Sequence, residues 1–357
     1  MKVCIIGGGL VSLTLASVLI KKDICVDILL NRNNKKYNKT RTLGVSKSNI
    51  DYFNKEIVNI KKISWKIKNI KIFTENFSNK EVLNFTNKNQ EIFSIIKNHE
   101  LYKILNSNLK KSKFTKFKNS SNFKSLVKKK YKLIINCDPG HEITNKFFFS
   151  RLEKNYQSNA YTTIINHKKV INNTAFQNFT NRGPIAFLPV SNTSTSVIYS
   201  LRNKNNKIDI NNLIKKFNPK YSITKIGNYE KFELRSSTLR KYYKDNIIAF
   251  GDLLHRIHPL AGQGFNMSLR DIKLLSKIID KKINAGLDLD SSISQEFQKK
   301  IQHKNYIFST GIDWIYELFN LESKINNKLI SKLIHIIGKN KSVNSFFKKY
   351  ADNGFKT

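Results

Sequence analysis

The chain has 357 residues, 40% of them hydrophobic, which is enough for two domains with a sizeable core. It contains no apolar run of about 18 residues, so no transmembrane helix is expected, and it enters a strand pattern at Lys2, so no signal peptide is expected. Its 64 Lys and Arg against 25 Asp and Glu give a formal net charge of +39.

Three explanations of this charge compete: compositional drift of an A+T-rich genome, attraction to anionic lipid, and nucleic-acid binding. The lysines are dispersed, with small clusters at residues 110–111 and 128–130, and no basic motif is interleaved with aromatics. This pattern favours drift, then a membrane-surface bias, and predicts no specific nucleic-acid recognition. The three cysteines, Cys4, Cys25 and Cys137, lie in predicted strands and are expected to be small buried hydrophobes of a reducing compartment.

The N-terminus predicts a β-α-β unit. A strand over residues 2–6 leads into the sequence GGGLVS, an apolar helix covers residues 13–20, and a second strand covers residues 24–30. Gly7 would make the turn and Gly9 would let a pyrophosphate approach the backbone, as in dinucleotide-binding units. Ser12 stands where a third glycine is usual, and Asn31 stands where an acid usually binds the ribose. A plain buried β-α-β unit is the alternative.

The middle of the chain predicts a change from mixed to antiparallel structure. Residues 32–40 are expected to form a polar loop, followed by helices near residues 47–54 and 98–109 and by strands over residues 63–73, 82–85 and 133–137. From about residue 156, alternating runs bounded by Asn, Gly and Pro predict antiparallel strands at 160–165, 173–179, 185–189 and 196–201.

The most informative stretch is GDLLHRIHPLAGQGFN at residues 251–266, between a predicted buried strand (246–250) and a predicted helix (267–279). Asp252 can accept hydrogen bonds from sugar or ribityl hydroxyls, and the helix start offers free N–H groups and a positive dipole end. His255 and His258 have no neighbouring Cys or acid cluster that would complete a metal site. The stretch therefore predicts a phosphate-bearing cofactor. Beyond it the chain is expected to be mostly helical.

With these residues in place, the chain resembles the FAD-dependent aromatic hydroxylases, which are flavoprotein monooxygenases, and within them the ubiquinone-biosynthesis hydroxylases. The resemblance extends over nearly the whole length. The stretch GPIAFLP at residues 183–189, preceded by AFQNF at residues 175–179, is typical of the ubiquinone group.

The resemblance implies FAD as the cofactor and assigns its contacts. Pro259 would shape the loop over the flavin ring, and His258 is a candidate proton partner for a phenol, so these two are the candidate catalytic residues. Asn266 is expected at the flavin pyrimidine edge. The remaining cofactor-binding candidates are Gly7, Gly8, Gly9, Leu10, Arg41, Asp252, Gly262, Gln263, Gly264 and Phe265. Residues 251–266 are called the second glycine block, and GGGLVS at residues 7–12 is the first. Backbone N–H groups of the second glycine block would stabilise negative charge on the reduced flavin.

One element departs from the family pattern. The Asp-Gly motif that the family uses for FAD and NAD(P)H is replaced by Asp138-Pro139-Gly140, and proline fixes φ and removes a donor. The electron donor is therefore left open between NAD(P)H and a separate reductase.

The resemblance implies a monooxygenase that hydroxylates a polyprenylated aromatic intermediate of ubiquinone biosynthesis with O2, through a flavin hydroperoxide. The alternative is a catalytically weak FAD-binding accessory subunit of the biosynthetic assembly, which Ser12, Asn31 and Pro139 favour. A greasy polyprenyl-phenol substrate implies a cytoplasmic protein peripherally associated with the inner membrane, with other ubiquinone-biosynthesis proteins as possible partners. Any apolar insertion patch is expected near residues 314–319, where Trp314, Ile315, Leu318 and Phe319 would share one helical face.

The expected fold class is α/β, with a Rossmann-like FAD-binding domain, an inserted, mainly antiparallel β-sheet substrate domain and a helical C-terminus. The FAD-binding domain is predicted to comprise residues 1–60, 96–155 and 238–290. The substrate domain would comprise residues 61–95 and 156–237, and the C-terminal helical region residues 291–357.

Overall fold

A computed structural model describes residues 1–31, 39–75, 81–86, 91–119, 122–128, 131–202, 209–259 and 262–325. Most of the predicted polar loop (residues 32–40) and the last part of the predicted helical region (residues 326–357) lie outside the described residues. Leu260 and Ala261 of the second glycine block, and residues 129–130 of one lysine cluster, also lie outside them.

Strands and helices alternate in the first half of the chain, and a long run of strands precedes two long helices. The strands are β1 Lys2–Ile6, β2 Cys25–Leu30, β3 Thr42–Ser46, β4 Trp65–Ile67, β5 Asn69–Thr74, β6 Glu81–Thr86, β7 Phe93–Lys97, β8 Thr115–Asn119, β9 Leu133–Asn136, β10 Arg151–His167, β11 Thr174–Thr180, β12 Gly183–Pro189, β13 Ser194–Arg202, β14 Ile223–Ile226, β15 Glu230–Leu239, β16 Tyr243–Lys244, β17 Ile247–Ala249 and β18 His255–Arg256. The α-helices are α1 Leu10–Ile20, α2 Lys47–Tyr52, α3 Asn98–Lys111, α4 Phe123–Lys128, α5 Glu142–Phe147, α6 Ile210–Lys216, α7 Gly264–Asn284 and α8 Ser291–Ile325.

The predicted β-α-β unit forms the centre of a six-stranded sheet. Its order in the described residues is β16-β17-β9-β1-β2-β8, and every pair except β16–β17 is parallel. The core strands are continuous apolar runs because helices cover both faces of a parallel sheet. Strands β17, β9 and β1 are adjacent, so the loops that follow them meet at one edge, where open parallel sheets bind their ligands.

A larger sheet has the order β18-β15-β10-β13-β12-β11-β5-β6, with β14 also paired to β10, and it is antiparallel except for β11–β5. A three-stranded antiparallel sheet, β3-β7-β4, joins the segment after Arg41 to this part of the fold. The predicted α/β class with an inserted, mainly antiparallel sheet is confirmed. The domain boundaries stay a prediction.

Two expectations about local structure are wrong. The single strand expected over residues 63–73 is divided, because the chain leaves the small sheet after β4 and joins the large sheet at β5. At the break, the N–H of Lys68 donates to the carbonyl of Asn173 at 2.9 Å. Cys25 is exposed, although Cys4 is buried as expected, because Cys25 begins its strand at the sheet's margin.

The main core lies between the six-stranded sheet and helices α1, α3, α7 and α8. Fully buried side chains from these elements include Ile5, Leu13, Leu105, Leu269 and Phe297. No helix in the described part of the chain is both long and apolar enough to cross a bilayer. The core fixes α1 and α7 against the sheet, and with them the two glycine blocks.

Candidate cofactor and active site

The first glycine block forms a tight turn with open space at its far end. Gly7 has φ +112°, and a Cβ there would lie 3.3 Å from Ser12 Oγ and 3.4 Å from the carbonyl carbon of Cys137. A Cβ on Gly8 would lie 2.6 Å from Leu30 Cδ2, whereas a Cβ on Gly9 would meet nothing within 4 Å. The space beside Gly9 is therefore free for a ligand to approach the backbone.

Gly9 is also the N-cap of α1, and no side chain caps this helix end. The first turn carries no acidic residue either. Uncapped N–H groups and the positive end of the helix dipole favour an anion at this position. Ser12, which stands where a third glycine is usual, is 1% exposed, with its hydroxyl in the junction between Gly7 and Cys137.

The second block meets the first at the same edge of the sheet. Gly251 has φ +64°, and a Cβ there would lie 3.1 Å from Val11 in the first turn of α1. Asp252 follows it on a 3₁₀ turn and is exposed. Its charge is felt by Cys137, whose thiol pKa is raised to about 12 by burial and, to a smaller extent, by Asp252 and Asp138. Asp252 therefore stands beside the open end of α1 with its carboxylate available to a hydroxyl donor.

Asp138 has a different environment. Its Oδ1 accepts from the N–H of Gly140 at 2.9 Å, and its carbonyl accepts from Thr144 Oγ1 at 2.9 Å. Pro139 lies exposed at the tip of this turn. The carboxylate thus stabilises the turn that Pro139 imposes, as aspartate commonly does in loops.

The turn before α7 packs against the Arg41 segment. Gly262 has φ +63°, and a Cβ there would lie 3.5 Å from the backbone nitrogen of Gly44. Asn266 Nδ2 donates to the carbonyl of Gly44 at 2.8 Å, and Asn266 Oδ1 accepts from the N–H of Ser46 at 3.0 Å and from Asn49 Nδ2 at 2.9 Å. Asn266 is 2% exposed, so its amide holds β3 and α2 against α7.

This bonding changes the interpretation of Asn266. An asparagine amide has two donor hydrogens and two acceptor sites, and a longer contact of 3.5 Å to the carbonyl of Gly262 uses the second donor. The described protein contacts therefore engage the side chain's whole capacity. Asn266 positions the Arg41 segment, and a direct side-chain contact to the flavin pyrimidine edge is not supported.

The N-terminus of α7 fits a cofactor better than a purely structural turn. Gln263, its N-cap, has a buried Oε1 with no hydrogen-bond partner among the described residues, and the helix end has no side-chain cap. Phe265 is 9% exposed and packs on Phe53, with ring centroids 6.2 Å apart. The buried amide oxygen and the uncapped helix end of α7 suit a polar, electron-accepting ring.

Arg41 packs against the large antiparallel sheet. Its guanidinium is 5.3 Å from the centroid of Phe232 on β15, and its carbonyl accepts from the N–H of Asn98. The next residue, Thr42, donates from Oγ1 to Ser196 Oγ at 3.0 Å. The segment thus joins the three-stranded sheet to the large antiparallel sheet, and the contact of Arg41 with FAD stays a prediction.

His258 is buried in an aromatic cluster. It is 0% exposed, and its ring lies 4.8 Å from Tyr156 and 4.4 Å from Tyr316. Burial and, to a smaller extent, the charge of Lys154 lower the pKa of His258 from 6.5 to about 3. A neutral, enclosed imidazole is a poor proton acceptor at neutral pH, which argues against the predicted proton exchange with a phenol.

Pro259, the residue after His258, is half-buried. Its carbonyl accepts from the N–H of Gly262 at 3.1 Å, and this bond closes the turn.

A carboxylate lies under the same cluster. The hydroxyl of Tyr156 donates to Asp313 Oδ1, and burial raises the pKa of Asp313. The other motif histidine, His255, pairs through Nε2 with Asp271 Oδ2 at 2.5 Å, and Asp271 Oδ1 accepts from Asn305 at 3.2 Å. The two histidines therefore belong to separate networks, each joining the second block to α8.

Sequence reasoning missed Gly44, Phe232, Tyr156 and Asp313 as parts of this region. Gly44 lies three residues after Arg41, which was predicted to contact the cofactor. A glycine so close to that residue was the signal that could have identified Gly44 as part of the site. The other three come from distant strands and helices and carry no local motif.

Comparison with known proteins agrees with this geometry. Residues 149–298 match the family described as FAD binding domain. The chain is 24% identical over 234 residues to the mitochondrial ubiquinone biosynthesis monooxygenase COQ6 of Danio rerio, covering 53% of this chain and 48% of that protein. It is 29% identical over 159 residues to 3-demethoxyubiquinol 3-hydroxylase of Escherichia coli, covering 41% and 40% respectively. The chain thus spans about half the length, or less, of these relatives.

Solved structures show the same fold over nearly the whole chain. The p-nitrophenol 4-monooxygenase PnpA of Pseudomonas putida aligns with a TM-score of 0.77 at 11% identity, covering 99% of this chain and 98% of that one. HpxO of Klebsiella pneumoniae, solved with FAD and uric acid, aligns with a TM-score of 0.74 at 10% identity, covering 97% and 95%. The predicted resemblance to the FAD-dependent aromatic hydroxylases, and within them to the ubiquinone-biosynthesis hydroxylases, is confirmed, and residues 149–298 are similar to an FAD-binding domain.

Proposed function

We propose that this protein is an FAD-dependent monooxygenase that hydroxylates a polyprenylated aromatic intermediate of ubiquinone biosynthesis. The observation that carries the proposal is the packing of Gly251 on Val11, which places Asp252 next to the first turn of α1, a helix whose N-terminus at Gly9 has no side-chain cap. The N-terminus of α7, which follows in the same glycine block, has no side-chain cap either. A dinucleotide needs such an arrangement, with anion-binding amides at one end and hydroxyl acceptors beside them. The relatives named above support the choice of reaction and pathway.

In this proposal the chain binds and orients, and the cofactor performs the redox chemistry. The amides of Leu10 and its neighbours on α1 would hold the pyrophosphate of FAD, and Asp252 would accept from its ribityl chain. FAD, when bound, supplies the activation of O2. Backbone N–H groups of residues 263–265, at the uncapped start of α7, would stabilise negative charge on a flavin ring bound there. Pro259 shapes the loop over the ring, and the tyrosines around His258 exclude water.

The substrates are a polyprenyl phenol and O2. The electron donor is either NAD(P)H or a separate reductase, because the turn of Asp138, Pro139 and Gly140 differs from the motif that serves the nicotinamide cofactor in the family. A second candidate function, a catalytically weak FAD-binding accessory subunit, rests on the same turn, in which the Asp138 carboxylate already accepts from Gly140.

We also propose peripheral association with the inner membrane on the cytoplasmic side, together with other ubiquinone-biosynthesis proteins. A long isoprenoid chain keeps the substrate in the bilayer, and a net charge of +39 attracts anionic lipid.

One experiment separates the two candidates. The purified, flavin-loaded protein is incubated with a polyprenyl phenol under air, with NADPH, NADH or a chemically reduced flavin as the electron source, and the organic phase is analysed by mass spectrometry. Hydroxylase function predicts a product one oxygen atom heavier than the phenol. A protein that holds FAD and yields no such product with any of the donors is the accessory subunit.

A further inference from the structure

The long helix α8 has two apolar faces, and one of them has no partner in the described structure. Its inner face carries Phe308, Ile312 and Phe319, all less than 10% exposed, and Phe319 stacks on Phe179 with centroids 3.6 Å apart. The sequence pattern placed Phe319 beside Trp314 on one outward face, and this is wrong, because Phe319 points into the core.

The outer face is an apolar stripe, defined here as Ile307, Trp314, Leu318 and Leu321. Their separations of seven, four and three residues place them on one side of the helix. Their exposed fractions are 46%, 68%, 42% and 49%. A shallow groove of about 440 Å³ runs along the C-terminal part of this stripe, between it and Lys154 on β10. Contiguous exposed apolar side chains of this size mark a surface that meets another apolar phase.

Basic residues precede the stripe on the same side of the helix. Lys299, Lys300 and His303 are exposed and lie about three to six turns before the tryptophan and leucines, and Lys300 pairs with Glu296 at 2.5 Å. Lys154 forms the far wall of the groove and pairs with Glu317 at 2.8 Å. A tryptophan and leucines beside lysines on one helix face form the pattern of a helix that lies in the plane of a membrane interface.

Charge decides between a bilayer and a second copy of this chain. Two copies would each bring a net charge of +39 and would place these lysines near one another. An anionic headgroup layer complements the same lysines while its acyl boundary covers the stripe. We propose that the stripe of α8 and the lysines before it dock on an anionic lipid bilayer.

This inference deepens the proposed function and rests on it for the reason to visit a membrane, since a polyprenyl substrate resides there. The docking helix also carries Tyr316, whose ring packs on His258, so that the bound helix would bring the candidate active site to the bilayer surface. The physical test of docking needs no catalytic turnover.

The chain offers a specific optical probe. Trp314 is 68% exposed, whereas the other tryptophan, Trp65, is partly buried and donates from Nε1 to the carbonyl of Asn172. In a Trp65→Phe background, emission reports on Trp314 alone. Full-length protein is mixed with vesicles of phosphatidylcholine, with or without phosphatidylglycerol, and some vesicles carry brominated acyl chains as quenchers.

Docking predicts a blue shift and quenching of Trp314 with anionic vesicles. Leu318→Glu should weaken vesicle binding at least about tenfold, because it places a charge in the apolar layer. The matched control is Ile171→Glu, at an 82% exposed apolar residue outside α8, and it should bind like the wild type.

Three results would overturn the proposal: equal vesicle binding by Leu318→Glu and wild type, protection of Trp314 from acrylamide before lipid is added, or a concentration-dependent blue shift without lipid. The second result would mean that residues 326–357 cover the stripe, and the third that a second copy does. FAD content is measured for each variant. Wild-type protein that holds FAD but does not bind the anionic vesicles refutes the docking surface alone, whereas wild-type protein that binds the vesicles but does not take up FAD refutes the proposed function.

Discussion

Asn266 and Gly44 join the two halves of the candidate cofactor site: Asn266 Nδ2, in the first turn of α7, donates to the carbonyl of Gly44 on β3 at 2.8 Å. The residues lie 222 positions apart in sequence. The bond holds the segment after Arg41 against the Gly262 turn, so the shape of the flavin end of the site depends on a contact between the second glycine block and an early strand.

Replacing Asn266 with Ala should lower stability and FAD affinity together. The change leaves the carbonyl of Gly44, the N–H of Ser46 and the amide of Asn49 without this partner, and one buried unsatisfied group costs about 1–3 kcal/mol. Denaturant unfolding and flavin titration measure the two effects. Asn284→Ala, at the exposed last residue of the same helix, is the control and should leave both values unchanged. Wild-type stability of Asn266→Ala would show that the bonds contribute nothing.

Asp252→Ala should reduce FAD affinity more than Asp138→Ala. Asp252 is exposed beside α1 with its carboxylate available, whereas Asp138 accepts from Gly140 in its own turn. A charged hydrogen bond is worth about 1.5–3 kcal/mol, and the exposure of Asp252 places the loss near the lower end, at roughly tenfold. Flavin fluorescence titration of the two apoproteins compares them. Equal losses, or a larger loss for Asp138→Ala, would refute the assignment.

The buried side chain of His258 should make the free energy of unfolding depend on pH. Burial lowers its pKa from 6.5 to about 3, so the neutral form is favoured in the folded chain. As pH falls from about 6.5 towards 3, the unfolded chain gains a proton that the folded chain refuses, and the free energy of unfolding falls by up to about 1.4 kcal/mol per pH unit. The contribution is fully present above pH 6.5.

The comparison with His258→Gln isolates this contribution. Asp313 acts in the opposite sense because burial raises its pKa, but both proteins contain it, so its effect largely cancels in the difference. Urea unfolding between pH 4 and pH 7 should give a steeper acid loss for the wild type. Parallel pH profiles would mean that the imidazole is protonated in the fold.

The local parts of this fold could be predicted from the sequence, and the long-range parts could not. The turn at Gly7 and the strand before Gly251 follow from short apolar runs and glycine spacing, and they lie where the pattern placed them. The engagement of Asn266 by Gly44 and the burial of His258 between Tyr156 and Tyr316 depend on residues far apart in the chain. Nothing in the periodicity of either segment encodes which distant strand it will meet.

The two glycines of the first block separate a structural role from a binding role. Gly7 has φ +112° and tight neighbours, so Gly7→Ala should destabilise the fold by about 1–3 kcal/mol. Gly9 has φ −76° and ψ 174°, which any residue adopts, and a Cβ there meets no protein atom within 4 Å. Nothing in the fold requires glycine at position 9, whereas close approach of a pyrophosphate does.

The most direct test of the central claim is therefore the FAD dissociation constant of Gly9→Ala, measured by flavin fluorescence on the apoprotein beside its unfolding free energy. A dinucleotide held at the start of α1 predicts stability within about 0.5 kcal/mol of the wild type and FAD affinity at least about tenfold lower. Wild-type FAD affinity in a stably folded Gly9→Ala protein would contradict the placement of the cofactor at this helix.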